Sequence, residues 1–244
     1  MAEKISRYKH DLPISYTLGA TLTYEAFKLR PELLEKVYIS SETQIDGGIQ
    51  ELIENLKAAG IPVLRNDKAF HILSPKGNCY VIGQFQKERK KLSGGNHLVL
   101  VNPSDAGNLG TIIRTAAGFG FEDLAIVSPA VDVFDPKVVR ASMGALFHLR
   151  IEYFDAIEDY IKRFPDNNRY AFMLRVPTPL PKVPIQKPYS LIFGNEATGL
   201  PESYADFCQS VIIRHTNSID SLNLPMAAGI AMYEFTKEAF NNYN

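Results

Sequence analysis

Three short polar segments in the second half of the chain each lie between an apolar run typical of a strand and a pattern typical of a helix. They occupy residues 108–114, 194–199 and 220–224. In open α/β folds, ligands bind where loops leave the carboxyl ends of the strands. The alternation therefore predicts an α/β fold with a parallel sheet covered by helices on both faces, and one pocket built from distant parts of the sequence.

The same alternation extends along most of the chain. In the second half, apolar runs predict strands at 97–102, 123–128, 149–153, 170–174, 189–193 and 210–213. Apolar residues at helical spacing predict helices at 109–119, 136–147 and 221–240. In the first half, a smaller α/β unit is predicted by β-rich runs at 36–40, 61–64 and 79–85 and by a helical pattern at 49–59. The proline-rich stretch 176–184 predicts an extended surface connection.

Length and charge favour two domains. The chain has 244 residues with 45% hydrophobic content, which exceeds the usual size of one domain. The charged run 87–91, followed by Ser93, Gly94 and Gly95, predicts an exposed joint, so we place the domains at 1–95 and 96–244. The net charge is -1, with 14 Lys/Arg against 11 Asp/Glu before the joint and 12 against 16 after it. A nucleic-acid function must therefore rest on local basic patches.

The sequence gives no sign of a metal centre, a disulfide framework or a membrane segment. Cys79 and Cys208 are far apart, and neither has a His or Cys neighbour at metal-ligand spacing. Residues 1–10 are charged and lack the apolar core of a signal peptide, and no apolar run approaches the roughly 20 residues that cross a bilayer. We therefore expect a soluble cytoplasmic protein with no bound metal.

Each polar segment, taken alone, has a structural explanation beside a functional one. Asn108 is either a helix cap or part of a ligand site at a helix N-terminus, and Arg114 is either functional or a solvent-facing cation. Glu196, between two glycines, suits an acid–base residue, an acceptor for a ligand or a carboxylate at a helix N-terminus. Ser221 is a candidate N-cap for the last helix.

Two common kinds of enzyme site do not fit the sequence. Gly107 and Gly110 lack the spacing of a dinucleotide-binding fingerprint, and no Walker lysine accompanies them. His215 invites a catalytic role, but the chain has no Gly-x-Ser-x-Gly elbow to supply a nucleophile. A nucleotide-dependent oxidoreductase and a hydrolase are therefore both disfavoured.

Taken jointly and in this order, the three segments resemble the motifs of the SpoU/TrmH family of RNA ribose 2′-O-methyltransferases, within the SPOUT superfamily. The first motif, Asn-x-Gly-x-x-x-Arg, is matched at Asn108, Gly110 and Arg114. The second, Gly-x-Glu-x-x-Gly, is matched at Gly194, Glu196 and Gly199. The third, Ser-Leu-Asn, is matched at Ser221, Leu222 and Asn223. Residues 140–145 resemble the family's loop beside the pocket, and 1–95 more loosely resemble the ribosomal-protein-like substrate-binding domain that often precedes it.

The resemblance implies a SPOUT fold with a deep C-terminal trefoil knot, a homodimer through the C-terminal domain, and S-adenosylmethionine as the cofactor. The residues implied in binding that cofactor are Gly194, Leu200, Ile213, Ser221 and Leu222. Ahead of the third motif the family's commoner Pro-Met-x-Gly pattern is absent, because Ile213, Arg214 and Thr216 stand at those positions. We therefore expect a more basic and more polar loop there, with a different shape.

The resemblance also implies methyl transfer to a ribose 2′-hydroxyl. This reaction needs its two reactants about 3 Å apart and must handle the proton of a very weak acid. The residues implied in catalysis are Asn108, Arg114, Glu196, Ser221 and Asn223. Arg114 matches the residue that the family assigns as the base, yet a guanidinium stays protonated in proteins. Its role is thus either proton acceptor or electrostatic orienter of the hydroxyl and its phosphate.

Contacts with RNA phosphates are expected from cations outside the three motifs. The candidates are Arg7, Lys9, Lys90, Lys91, Arg140 and Arg150. The analogy with the family favours ribosomal RNA over transfer RNA as the substrate. The alternative function is a catalytically silent RNA-binding or assembly module with the same fold.

Overall fold

The computed structural model describes residues 5–74, 77, 79–175 and 177–240. The chain is divided into two compact units. The first combines the residues up to Glu88 with Asp132–His148, and the second combines Arg89–Val131 with the residues from Leu149 onward. The boundary between the units therefore lies after Glu88. The segment Asp132–His148, which follows the predicted joint in sequence, belongs to the first unit. The functional division into an RNA-binding domain (1–95) and a methyltransferase domain (96–244) stays a prediction.

The first unit is built on a four-stranded sheet with the order β1-β4-β2-β3. Its strands are β1 (Ile14–Leu18), β2 (Leu34–Ile39), β3 (Val63–Arg65) and β4 (Val81–Gln86). Strand β4 is antiparallel to both β1 and β2, whereas β3 is parallel to β2. The helices that accompany this sheet in sequence are α1 (Ala20–Leu29), α2 (Gly47–Ala58) and α3 (Asp67–Leu73).

Strand β1 was not predicted because it buries hydroxyl groups where a strand pattern expects apolar side chains. Ser15 and Thr17 are both fully buried. The Ser15 hydroxyl donates to the Phe134 carbonyl, and the Thr17 and Thr23 hydroxyl oxygens lie 2.7 Å apart. These partners offset the cost of removing polar groups from water. A strand of this kind shows no clear apolar run in the sequence.

The second unit contains a seven-stranded sheet with the order β7-β6-β5-β10-β8-β11-β9. Its strands are β5 (His97–Val101), β6 (Asp123–Val127), β7 (Arg150–Phe154), β8 (Asn168–Phe172), β9 (Thr178–Pro179), β10 (Tyr189–Phe193) and β11 (Gln209–Ile212). Each pair of neighbouring strands is parallel. Every residue of β6 and β10 is buried, as expected for central strands of a sheet covered on both faces. The predicted parallel α/β sheet is therefore confirmed.

The helices of the second unit are α4 (Ala106–Gly118), α6 (Ile157–Arg163) and α7 (Leu224–Phe240). Helix α7 starts later than predicted: Asn223, not Ser221, holds the N-cap position, because its carbonyl accepts the first helical bond from the Ala227 N–H at 3.0 Å. Pro225 suits this start because its fixed φ favours the first turn of a helix. Helix α6 and strand β9 were not predicted.

The segment between α4 and α6 contains the short helix α5 (Pro136–Ala141) and a 3₁₀ turn at Ala145–His148. One continuous helix over 136–147 was predicted, and this prediction is wrong. Met143 has a φ of 51° and Gly144 a φ of 87°, and neither value is compatible with a right-handed helix. A Cβ at Gly144 would lie 2.7 Å from the Glu25 Cβ, so only glycine fits.

The proline-rich stretch predicted as an extended connection is partly structured. Val176 lies outside the described residues. Thr178–Pro179 form β9 at the edge of the sheet, where a proline does not interrupt the hydrogen bonding of a central strand. A 3₁₀ turn at Leu180–Lys182 follows and buries Leu180. Among the described residues, no helix is long and apolar enough to cross a membrane.

Candidate active site

The first two motifs meet at the carboxylate of Glu196. Strands β5 and β10 are adjacent and parallel, so the loops after them leave the same edge of the sheet. Ser104 donates to the Glu196 carboxylate through its N–H at 3.1 Å and its hydroxyl at 2.8 Å. The Asp105 N–H donates at 3.3 Å and the Asn108 side-chain amide at 3.4 Å. The carboxylate therefore joins the two loops.

The same contacts keep Glu196 ionised. Burial alone raises the pKa of this carboxyl group, but hydrogen bonds from its own backbone N–H, from the Ser104 hydroxyl and N–H, and from the Asp105 N–H outweigh it. The net pKa of Glu196 lies below its ordinary value. A carboxylate with this many donors is a poor proton acceptor. The geometry shows Glu196 accepting from protein groups, a role that the sequence did not suggest. The three roles expected from the sequence stay predictions.

The loop after β10 closes on its own backbone. Asn195 and Gly199 exchange main-chain hydrogen bonds of 3.2 and 2.9 Å. A Cβ at Gly194 would lie 2.2 Å from the Gly199 carbonyl carbon, and Gly199 itself has a φ of 67°. Both glycines are therefore required by the turn itself.

Asn195 is a structural residue of the site that sequence reasoning missed. Its side-chain amide donates to the Asn102 carbonyl at 2.8 Å, and its oxygen accepts from the Ala197 N–H at 2.9 Å. Asn102 has a φ of 55°, a strained value for a residue with a side chain. Asn195 thus holds the strained end of β5 against the loop after β10. The available signal was an Asn inside a glycine-flanked turn, where its side chain commonly bonds nearby backbone.

Helix α4 carries the remaining residues of the first motif. Its N-cap is Asp105, whose side chain accepts from the Asn108 N–H at 2.7 Å, so the capping explanation for Asn108 is wrong. Arg114 lies about a third of a turn around the helix from Asn108 and is exposed. Within the described residues, no acceptor or carboxylate lies at bonding distance from its guanidinium. Arg114 is thus a cation available to an external ligand.

The third motif follows β11, which β8 separates from β10. Residues 216–221 are all exposed, Ile213 and Leu222 are half-buried, and Gly194 and Leu200 are buried. His215 Nδ1 lies 2.9 Å from the Thr216 carbonyl oxygen. In the described part of the chain, no hydrogen bond connects residues 214–223 to the other two loops. The structure therefore brings two of the three motifs into contact, and the roles of Ser221, Leu222 and Asn223 stay predictions.

Comparison with known protein families decides the classification. The model of the family described as "SpoU rRNA Methylase family" matches residues 95–233, more than half of the chain. The chain belongs to the SpoU rRNA methylase family. The predicted resemblance to this family is confirmed.

The names of individual relatives are consistent with this family. The chain is 31% identical over 144 residues to the uncharacterized tRNA/rRNA methyltransferase slr1673 of Synechocystis, covering 58% of this chain and 53% of that protein. It therefore spans about half the length of that relative. It is 23% identical to the 23S rRNA (guanosine(2553)-2′-O)-methyltransferase RlmP of Bacillus subtilis, covering 88% of this chain and 85% of that protein.

A solved structure shows the same fold. The AdoMet-bound rRNA methyltransferase of Sinorhizobium meliloti is 26% identical and superposes with a TM-score of 0.78, covering 93% of this chain and 88% of that one. An agreement that covers nearly the full length of both chains supports the α/β architecture of this SpoU methylase.

The cations predicted to contact RNA fall into two groups. Five are exposed: Arg7, Lys9, Lys90, Lys91 and Arg140. Arg150, in contrast, pairs with Asp123 at 2.8 Å and with Glu122 at 2.9 Å, at the opposite edge of the sheet from Glu196. Its hydrogen bond to Asp123 raises the pKa of Arg150. These partners occupy the Arg150 guanidinium, and a contact between Arg150 and RNA stays a prediction.

The described residues offer no candidate metal centre. In the ranges that the structure describes, no group of three or more His, Cys, Asp or Glu side chains could hold a metal ion. Cys79 and Cys208 are free thiols, and burial raises the pKa of both.

Proposed function

We propose that this SpoU methylase transfers a methyl group from S-adenosylmethionine to a ribose 2′-hydroxyl of RNA, with ribosomal RNA as its substrate. The observation that carries the proposal is the junction at Glu196, where the two loops containing the first two motifs are joined at the start of α4, the helix that carries the exposed Arg114. The names of the relatives agree, since RlmP is named as a 2′-O-methyltransferase of 23S rRNA and the Sinorhizobium meliloti structure as AdoMet-bound.

The cofactor would be held by Gly194, Leu200, Ile213, Ser221 and Leu222. Adenine and methionine groups need hydrogen-bonding partners and apolar walls. The loops after β10 and β11 offer main-chain peptide groups together with the side chains of Leu200, Ile213 and Leu222, so the residues fit this ligand. When bound, S-adenosylmethionine supplies the electrophilic methyl group on its sulfonium centre.

Arg114 would contact the ribose. Its guanidinium stays protonated, carries five N–H donors and is exposed on α4. Such a group can bind the substrate phosphate while donating to the 2′-oxygen, whose negative charge grows as the hydroxyl proton leaves. We infer that Arg114 acts as an electrostatic orienter.

Asn108 and Glu196 act indirectly, by positioning Arg114. Their mutual contact at 3.4 Å fixes the start of α4, the helix that carries Arg114.

A homodimer through the C-terminal domain is part of the proposal. Helix α7 exposes Met226, Ile230 and Tyr233, which recur at helical spacing and are 61%, 39% and 54% exposed. An exposed apolar stripe of this kind is typical of an interface. Helix α7 also packs on α4, since a Cβ at Gly229 would lie 3.6 Å from the Thr115 Cγ2. A second copy bound to this stripe would therefore lie near the helix that carries Arg114.

The trefoil knot and the RNA-binding role of the first domain are proposed on the family resemblance. The chain after β11 returns to pack α7 against α4 and β10, and the Tyr189 hydroxyl in β10 donates to the Phe235 carbonyl in α7. This packing of the last helix is consistent with a C-terminal knot, which rests on the family resemblance. The exposed cations Arg7, Lys9, Lys90, Lys91 and Arg140 would contact RNA phosphates. Cytoplasmic localisation follows from the need to meet ribosomal RNA.

The decisive experiment maps ribose methyl groups in total RNA from cells with and without this gene, alongside titration of the purified protein with S-adenosylmethionine. We expect one 2′-O-methyl group of ribosomal RNA to disappear with the gene and the protein to bind the cofactor. Loss of a transfer RNA methyl group instead would overturn the substrate assignment. Cofactor binding without any lost methyl group would favour the silent RNA-binding module.

A further inference from the structure

A cavity of about 280 Å³ lies within the first unit, and none of its lining residues belongs to the three motifs. Leu18 at the end of β1 and Ile72 and Leu73 at the end of α3 give it aliphatic walls. The rings of Tyr8 and Tyr16 also line it. An apolar recess with aromatic walls is a suitable environment for a flat, weakly polar group such as a nucleobase.

The Tyr8 ring is held in place by its neighbours. Its hydroxyl donates to the Asp132 carboxylate. The Lys87 ammonium lies 4.5 Å from the ring centroid and 3.4 Å from the same Asp132 carboxylate. The Tyr16 ring is anchored as well, because its hydroxyl donates to the Ser6 carbonyl at 2.8 Å. Both aromatic walls are therefore ordered before any ligand arrives, which lowers the entropic cost of binding.

Cations surround this cavity. Arg7 lines it directly, and Lys9, two residues further along the chain, is exposed. Pro136 also lines it, and Arg140 lies one turn later on the same face of α5. In the described ranges, Arg7, Lys9 and Arg140 have no ion-pair partner.

The acidic groups nearby do not cancel this positive charge. Asp132 is occupied by Tyr8 and Lys87. Asp135 caps α5 by accepting from the Lys137 N–H at 2.8 Å. With Asp11, which is exposed two residues after Lys9, these groups supply three carboxylates. The four cations Arg7, Lys9, Lys87 and Arg140 outnumber them, so the net charge around the cavity is positive, which suits the phosphates that flank a nucleobase.

We propose that this cavity binds one unpaired nucleotide of the RNA substrate, at a position other than the methylated ribose. The base enters the cavity against Tyr8, and its flanking phosphates contact Arg7, Lys9 and Arg140. A paired base cannot enter, so the site selects a loop, bulge or single-stranded stretch. The identity of the ligand as substrate RNA rests on the proposed function.

The test uses the full-length protein and a short fluorescein-labelled single-stranded RNA containing 5-iodouridine, with the same RNA annealed to its complement as a duplex control. Binding is measured by fluorescence anisotropy over a series of salt concentrations. Arg7→Ala is compared with Arg65→Ala, a matched exposed arginine of the same unit. Tyr8→Leu removes the ring, whereas Tyr8→Phe retains it. Thermal melts establish that each variant is folded.

We expect Tyr8→Leu to weaken single-strand binding at least about fivefold, as loss of base stacking does, and Tyr8→Phe to leave it near the wild-type value. Arg7→Ala should reduce the slope of log K against log salt by about 0.7, while Arg65→Ala leaves that slope unchanged. Photocrosslinked peptides should contain Tyr8 or Leu73. Should Tyr8→Leu fail to fold, the paired arginine variants and the crosslink map still decide the matter.

Methyl transfer to ribosomal RNA is assayed in parallel with the wild-type protein. Crosslinks that map only outside the cavity, or equal effects of the two arginine variants, would overturn the nucleotide site while methyl transfer upheld the proposed function. A protein that crosslinks at the cavity but transfers no methyl group would support the site and contradict the proposed function.

Discussion

The strands of the seven-stranded sheet carry polar networks of opposite character at their two ends. We call the side where the strands begin the amino edge and the side where they end the carboxyl edge. At the amino edge, the fully buried His97 lies 2.8 Å from the Tyr160 hydroxyl and 2.9 Å from the Ser93 carbonyl oxygen. The Tyr160 hydroxyl in turn lies 2.6 Å from the Ser190 hydroxyl. At the carboxyl edge, the network around Glu196 is half-buried and includes exposed residues such as Ser104. The side chains of the first network, His97, Tyr160 and Ser190, are fully buried, and we call this network closed. The second network is partly exposed, and we call it open.

This difference separates stability from function. In a closed network every polar group has a protein partner, so its contribution is to the folded state, and loss of one member leaves others unpaired. An open network orders loops at an edge where ligands bind in parallel α/β sheets, and the helix that starts at this network carries the exposed cation Arg114. Substitutions at the amino edge should therefore change stability, and substitutions at the carboxyl edge should change activity.

The largest effect is expected for Arg114→Ala. Removal of a preorganised electrostatic contact to the reacting oxygen typically lowers kcat by about 10² to 10³. We expect a loss of this size in methyl transfer, with unchanged affinity for S-adenosylmethionine measured by calorimetry. The control is Arg175→Ala, which removes an exposed arginine of the same unit. Retained turnover in Arg114→Ala would show that the open edge does not supply the substrate contact.

The next effect is expected at the closed edge, for His97→Ala. The substitution leaves the Tyr160 hydroxyl and the Ser93 carbonyl without their partner and opens a cavity, so the free energy of unfolding should fall by about 2 to 4 kcal/mol. Denaturant titration measures this loss, with the exposed His148→Ala as the control. Activity per folded molecule should not change. If kcat fell under conditions in which all of the protein is folded, the assignment of stability to one edge and activity to the other would be contradicted.

A smaller effect is expected for Glu196→Gln. The amide cannot match the charge-assisted bonds from the Ser104 and Asp105 N–H groups, which should loosen the two loops and lower kcat/KM by about tenfold. Methyl transfer and thermal melting are measured together, with Glu202→Gln as a control at an 84% exposed side chain. If melting shifts while kcat/KM stays constant, Glu196 has a structural role only.

The sequence was most informative where apolar side chains dominate an element. Strand β10 was predicted with its observed bounds, because five buried positions in succession leave a continuous signal at Tyr189–Phe193. The first two motifs were correctly expected to lie together, since both follow adjacent parallel strands. In contrast, β1 was missed because its buried Ser15 and Thr17 rely on hydroxyl partners elsewhere in the unit.

Charge and strand order explain the other differences. Arg150 has the same local sequence character as an RNA-binding cation, and only the pairing of β6 with β7 reveals that Asp123 lies beside it. The third motif follows β11, which β8 separates from β10, so its place in the same pocket stays a prediction. Strand order is set by long-range packing, and periodicity within a segment carries no information about it.

The smallest effect is a pH dependence of stability at the closed edge. Burial lowers the pKa of His97, and the nearby Asp123, Arg150 and Arg163 partly offset one another. Because the unfolded chain then binds a proton that the folded chain does not, stability is full above the unfolded pKa of about 6.5 and falls as the pH drops below it, by at most about 1.4 kcal/mol per pH unit.

Denaturant titrations between about pH 7 and pH 5 measure this slope, and His97→Gln, which cannot titrate, should lose it. The open edge should contribute nothing in this range, because the pKa of Glu196 lies below its ordinary value and the carboxylate stays ionised. An identical slope in wild-type protein and His97→Gln would assign the pH dependence to another group. A slope that instead vanished in Glu196→Gln would place it at the edge where the two motifs meet.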